Sequence, residues 1–389
     1  MTSYETELAK TRRDIATLEA LVRSDGPCMV ERVRLAYRQY HRASLTETES
    51  DYKIVSQSLQ TLLNDFGPQE DVCLLKATVG GRFHRLEEIK QTLEMSPSLA
   101  GRAAGRALQA DIDFQEGRYQ QGADALNALL EEDRTWNVIA QLAHWKGKLG
   151  DPEEADHLYR EAEDGLTAKE MRSLSWLELQ RGTLALARGR TDRARLHYQR
   201  ASTAFPGHWR NDEHVAGLLA AEGEVTAAET LLRSVIDRTS RPEVKQTLGQ
   251  LLAHAGRMEE GRGLMEAAAR EFLASVEEGG VHYYHHLADL YVDGLDRPDE
   301  SVSWARRDLA LRSNFGTQAT LAWALFRNGE FEEGVKWIRL ALASGVKDVG
   351  VLATAAALFR ATGDVAQGEC YGWVVDGVDL SRRRVHLHH

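Results

Sequence analysis

The sequence predicts an all-α chain, folded as a solenoid of stacked helix-turn-helix units. Three features point there. A glycine turn recurs at Gly81, Gly117, Gly150, Gly189, Gly223, Gly256, Gly329 and Gly363, each between two stretches of helical periodicity. Successive spacings are 36, 33, 39, 34, 33, 73 and 34 residues. A period of about 34 fits helix, turn, helix, and such units bury their apolar faces only by stacking. The 73 holds one further unit, whose turn at Gly294-Leu295-Asp296-Arg297-Pro298 is expected to carry an insertion. Third, small and bulky residues alternate at fixed offsets from the turns, as close helix crossings require.

Composition agrees with one continuous array over the 389 residues, since a solenoid grows by adding units. Hydrophobic residues at 43% supply a core and charged residues at 28% supply solubility, which excludes a disordered chain. Lys and Arg number 48 against 59 Asp and Glu, a net charge of -11, and basic residues cluster only at Arg382, Arg383 and Arg384. A binder of duplex DNA or RNA needs a basic face, so nucleic acid is disfavoured as a partner. Residues 1–23 lack the apolar core of a signal peptide, and no stretch approaches the roughly 18 apolar residues of a membrane span. No membrane partner and a cytoplasmic location are therefore expected. Cys28, Cys73 and Cys370 are odd in number and widely separated, the pattern of reduced thiols.

Taken in order, residues 1–27 comprise a first helix over 3–24, with Leu8, Ile15, Leu18 and Val22 on one stripe and Asp25-Gly26-Pro27 as its stop. Residues 28–98 hold degenerate pairs suited to a terminal cap. Val30 to His41 pairs with Tyr52 to Phe66, and Val72 to Val79 pairs with His84 to Met95 around Gly80-Gly81. Residues 99–379 are the regular array, and 380–389 form a basic, histidine-containing tail.

The regular turns read Gly117-Arg118-Tyr119, Gly150-Asp151-Pro152-Glu153-Glu154-Ala155, Gly189-Arg190-Thr191-Asp192-Arg193-Ala194, Gly256-Arg257-Met258-Glu259-Glu260-Gly261 and Gly329-Glu330-Phe331-Glu332-Glu333-Gly334. These resemble the mid-repeat turn of the tetratricopeptide repeat family. The resemblance extends to a small residue on each first helix (Ala143, Gly182, Ala216, Gly249, Ala288, Ala322, Ala356) and another on each second helix (Ala155, Ala194, Ala228, Gly261, Gly334). Bulky wedges follow at Tyr159, Tyr198, Leu232, Met265 and Ile338. It implies a right-handed superhelix whose concave face binds a protein or peptide partner. The chain departs from the family in showing a closing proline only at Pro206 and in its longer stretches before Gly189 and around Gly294.

The most unusual local chemistry lies in Val281-His282-Tyr283-Tyr284-His285-His286-Leu287-Ala288-Asp289-Leu290-Tyr291. With Ala288 as the small residue, Tyr284, Leu287 and Tyr291 face neighbouring helices and His282, His285 and Asp289 share the inner stripe. Two imidazoles and a carboxylate form a ligand set for zinc or iron. The other reading is that they are polar residues of a peptide groove, with His286 packed or capping a helix end. The same helical phase turns Asn137, His144, Trp176, Thr183, Arg210, Glu213, Glu243, Gln246, Gln250, Trp323 and Phe326 inward. Aromatic anchors and amides of this kind suit a bound peptide. Neither a phosphate loop nor a GxSxG nucleophile element occurs, and no cysteine has a nucleophile's context, so no catalytic residue is assigned. Three functions follow: a non-enzymatic scaffold or adaptor for a protein or peptide, without cofactor; a metal-binding accessory protein or metal-dependent enzyme; and a peptide-responsive regulator. Self-association is left open.

Overall fold

The computed structural model describes residues 3–24 and 28–375, and its regular structure is helical throughout. The Asp25-Gly26-Pro27 stop and the tail lie outside the described residues. Contacts divide the chain into two compact units, Met1–Ile112 with Phe205–His208, and Asp113–Ala204 with the chain from Trp209 onward.

The first unit holds α1 (Tyr4–Ser24), α2 (Met29–Thr46), α3 (Glu49–Phe66), α4 (Glu70–Arg82), α5 (Leu86–Met95), the short α6 (Pro97–Gly101) and most of α7 (Ala103–Gln115). The α1 stripe packs within the chain: Ile15 is buried, and His41 and Arg38 of α2 reach Glu7 and Asp14 at 2.8 and 3.7 Å. Tyr4 N–H donates to the Pro206 carbonyl at 3.0 Å and the Tyr4 ring meets Phe205 and His208. Those contacts tie residues 205–208 to this unit.

Two turns here differ from expectation. Gly80 and Gly81 do not make the α4–α5 turn; both lie in the last turn of α4, where a side chain at Gly80 would press on Ile89. The left-handed residue is His84, at φ 56°, and Glu47 does the same between α2 and α3 at φ 51°. Measured from His84, the step to Gly117 is 33 residues, so the irregular first spacing disappears.

The second unit continues with α8 (Tyr119–Glu132), α9 (Trp136–Lys148), α10 (Pro152–Asp164), α11 (Met171–Ala187), α12 (Thr191–Ala204), α13 (Trp209–Ala221), α14 (Val225–Thr239), α15 (Pro242–His254) and α16 (Met258–Glu277). It ends with α17 (Tyr284–Asp289), α18 (Pro298–Leu311), α19 (Phe315–Arg327), α20 (Phe331–Ala343), α21 (Val349–Ala361) and α22 (Val365–Val375). Every helix pair but α17–α18 turns on its glycine, as at Gly150 with φ 87°, a conformation that costs an L side chain about 1–2 kcal/mol. The next N–H then caps the helix from five residues on, as Asp151 N–H does to Lys146 and Glu330 N–H to Leu325, both at 2.9 Å.

The long interval before Gly329 owes one residue to the expected turn insertion and most of its excess to the helix before it. α16 runs 20 residues where α10 and α14 run 13 and 15. After α17 a π-helical turn over Leu290–Gly294 takes up one residue more, and the cap bond spans six residues, Arg297 N–H to Tyr291 at 2.7 Å. Asp296, at φ 54°, occupies the left-handed position in place of glycine. The excess before Gly189 lies in α11, 17 residues long, and in the loop where Glu170 accepts from Thr167 and from the Trp136 indole.

The expected small-against-large crossings are present. Ala143, Ala155, Ala194, Ala216, Ala228, Ala288 and Ala322 are fully buried, as is Ile338, and Tyr159, Tyr198, Leu232 and Met265 are nearly so. A methyl at Gly182 would lie 2.2 Å from the Tyr198 ring. The α15–α16 crossing is backbone on backbone: a methyl at Gly261 would sit 2.5 Å from the Gly249 carbonyl oxygen.

The second unit also closes on itself. Asn314 Nδ2 donates to Gln115 Oε1 at 3.1 Å, Phe315 N–H to the Tyr119 hydroxyl at 2.5 Å, and Lys347 N–H to the Leu149 carbonyl at 2.8 Å. The Gly117 turn rests on Ser313 and the Gly150 turn on Lys347, each too close for a side chain. Phe114, Tyr119 and Phe315 form the apolar part of this seam.

Candidate functional site

Except for His282, the candidate residues fall on the first helix of each pair, along one stripe through its small residue, and the structure sorts them into three settings. Asn137 and Trp176 lie exposed, Trp176 with its ring edge toward Tyr159. Trp323 and Phe326 stack at 5.3 Å, half-buried, and the Trp323 indole donates to Asp293 at 3.1 Å. Arg327 joins that cluster, bonded to Asp293 and Asp296 and lying over the Trp323 ring. The π-helical turn places Asp293 for this contact.

The third setting is a group of buried polar residues on α13 and α15. Glu213, Glu243, Gln246 and Gln250 are 3, 6, 0 and 3% exposed. Glu243 accepts from Arg241 at 2.6 Å and lies 3.5 Å from the Tyr283 hydroxyl. Arg210 and Arg241 flank Trp209, itself fully buried, at 5.1 and 4.8 Å. Thr183 and His214 meet at 3.4 Å. Further along, His144 sits against Trp145 on α9, where burial and the neighbouring Lys148 push its pKa down to about 3.

The segment around α17 keeps the expected phase at Tyr284, Leu287 and Tyr291 and adds Tyr283 to the core face. Tyr283, with Leu287 and Tyr291, faces the core, while Tyr284 lies against Trp304. His286 is packed, stacked on Phe272 at 5.3 Å. The helix begins only at Tyr284, so His282 precedes it and lies on the Tyr283 ring at 3.9 Å, while His285 lies on His286 at 4.0 Å. The structure does not gather His282, His285 and Asp289 into a ligand set: among the described residues no group of three His, Cys, Asp or Glu side chains is placed to hold a metal ion.

One cluster carries no sequence signal. Glu178, fully buried on α11, faces His197 at 2.6 Å and Arg200 at 3.0 Å, while Arg181 reaches Asp156 and Glu163 at 2.8 and 3.0 Å. These charges join α10, α11 and α12 around a carboxylate buried on α11.

Helix pairs turning on left-handed residues, with small-against-large crossings in register, define a tetratricopeptide-repeat-like α-solenoid. No protein-family model matches the sequence, and no curated protein sequence matches it. Among solved structures, the human IFIT1 dimer with PPP-AAAA is similar with a TM-score of 0.52 and 13% identity, over 88% of this chain and 78% of that one. The Cut9–Hcn1 hetero-tetramer of the APC/C gives 0.44 at 13% identity over 90 and 75%, and PilF of Pseudomonas aeruginosa 0.34 at 18% over 52 and 91%. At these identities the likeness concerns the fold. No described helix is long and apolar enough to cross a membrane.

Proposed function

We propose that this chain is a non-enzymatic scaffold or adaptor that binds a protein or peptide along the first helices of its solenoid. The observation that carries the reading is a run of polar residues at one repeat position on α13, α15 and α17. Three residues before the small residue of successive first helices stand Ala140, Leu179, Glu213, Gln246, His285, Ala319 and Ala353. The position is apolar at both ends and polar only in the middle, so the array differs there for a reason other than stacking. Spread polar contacts with aromatic anchors at Trp176 and Trp323 match the way helical grooves hold peptides. The test is binding of partner peptides to the full chain, compared with Trp176→Ala and Trp323→Ala. Weakening at both sites supports a groove spread over several repeats. Undiminished binding at both removes it.

A further inference from the structure

Within the second unit, the turn of one helix pair rests on a loop between pairs further along the solenoid. Gly117 meets Ser313 and Gly150 meets Lys347, steps of 196 and 197 residues, and a side chain on either glycine would strike the opposing main chain. Gly189 is the next turn in that series, and it has open space around it. The same step from Gly189 leads past α22, the last described helix.

The turns also differ in charge. Residues 188–200 carry Arg188, Arg190, Arg193, Arg195 and Arg200 against one carboxylate, Asp192, in a chain of net charge -11. Arg188, Arg195 and Arg200 are bound to Glu153, Glu222 and Glu163 of neighbouring pairs. Arg190 and Arg193 stand exposed, and their side chains enter no ion pair among the described residues. Burial first, then the charges of Arg190 and Arg193, hold the Arg188 guanidinium below its ordinary value, a sign of uncompensated positive charge at this edge. Three residues beyond Arg193, on the same face of α12, Leu196 is 55% exposed.

We infer that the Gly189 turn docks an acidic segment of a partner polypeptide, whose carboxylates meet Arg190 and Arg193 and whose apolar side chain covers Leu196. The site lies at the turn end of α11, apart from the inner stripe of the first helices, and holds whether or not that stripe binds a peptide. Both covered turns of the series take the main chain of a loop, so a polypeptide is the occupant this edge is shaped for. The flanking turns are acidic, with Asp151, Glu153 and Glu154 beyond Gly150 and Glu222 and Glu224 around Gly223. A nucleic acid strand running along the edge would bring its phosphates against them, whereas a short acidic segment crossing the edge meets arginines alone. The chain's own continuation carries Arg382, Arg383 and Arg384, of the same sign as the turn.

The test titrates the full chain by fluorescence polarisation with a labelled ten-residue peptide, blocked at both ends, in which four glutamates are followed three residues on by leucine. Its lysine counterpart and a ten-nucleotide oligo-dT serve as competitors. Saturable binding of the acidic peptide is expected, weakened about tenfold or more by Arg190→Glu with Arg193→Glu, weakened by Leu196→Asp and by added salt, and indifferent to Trp176→Ala and Trp323→Ala. The three replaced side chains are exposed, so the melting temperature should stay at the wild-type value. Should the charge reversal lower it, Arg190→Gln with Arg193→Gln gives the same comparison without added repulsion. Absence of saturable binding, binding that survives the loss of both arginines, or equal competition by oligo-dT overturns the inference. A tighter complex on removing residues 376–389 also overturns it, by making the chain's own tail the occupant. Dependence on Trp323 in place of Arg190 and Arg193 would return the peptide to the first-helix stripe, overturning this site and leaving the scaffold reading intact.

Discussion

Replacing Gly261 by Ala places a methyl where two helices meet through their backbones. Its new carbon would lie 2.5 Å from the Gly249 carbonyl oxygen and 2.8 Å from the Ala253 nitrogen, and neither atom can rotate away. Ordinary contact begins near 3.4 Å. α15 and α16 must therefore part by the better part of an ångström, or the site must hold the strain. Overpacking of this kind costs about 1–3 kcal/mol. Against it stands the helix propensity of Ala over Gly, worth about 1 kcal/mol in any helix interior. Gly263, two residues along α16 with open space around it, supplies the control, because Gly263→Ala gains the propensity without the clash. The propensity term cancels between the two variants. Gly261→Ala should therefore unfold at lower urea than Gly263→Ala, by the equivalent of about 1–3 kcal/mol at equal slope. Gly249→Ala should be destabilising too, since its methyl would lie 2.6 Å from Met265 Cγ and 2.8 Å from the Gly261 carbonyl oxygen. Equal midpoints for Gly261→Ala and Gly263→Ala would refute the close crossing.

Tyr119→Phe removes the acceptor for the Phe315 N–H and should cost about 0.5–1.5 kcal/mol. If the seam acts as one clasp, hydrogen exchange should also quicken at the Lys347 amide; unchanged exchange there would make its two halves independent. Since burial holds His144 neutral down to about pH 3 against an unfolded value of 6.5, the unfolded chain alone takes up that proton as pH falls through this window. His144→Gln should accordingly lose less stability than wild type between pH 6.5 and 4. Asp111, raised by burial to about 6, contributes in the opposite sense, so only the difference between the two proteins is diagnostic. Tag-free protein should carry no stoichiometric zinc or iron; near one equivalent, lost on substituting His282, His285 and Asp289 by Ala, would restore the metal reading.

What was legible in the sequence is what repeats. Ala143, Gly182, Ala216 and Gly249 show the first-helix crossing because the same packing problem recurs in each unit, and Tyr159 and Tyr198 show its bulky partner. The failures are of two physical kinds. At Glu47, His84 and Asp296 a residue other than glycine takes the left-handed turn, so counting glycines misplaces the unit, and Gly80, which packs on Ile89, counts as a turn it does not make. Other features join residues far apart in the chain: Asp293 bonds Trp323 and Glu178 meets His197, pairings that no local pattern encodes. The inner register of Gln246 and Gln250 could be read, but not their burial without partners.

A linear array of repeats is a one-dimensional system, each unit leaning on two neighbours and the end units on one, so melting starts at the ends. The seam between residues 114–119 and 313–315, with that between Leu149 and Lys347, gives α19 and the loop before α21 a neighbour from nearly 200 residues earlier. Fraying from the C-terminal side should therefore stop at α21, with α22 held on one side alone. Joining segments so distant requires the intervening helix pairs to be in place, and the chain entropy lost on closing the loop makes this a late and slow step of folding. A polypeptide emerging from synthesis would fold its early pairs as they appear, but acquire circular cooperativity only once Lys347 has been made.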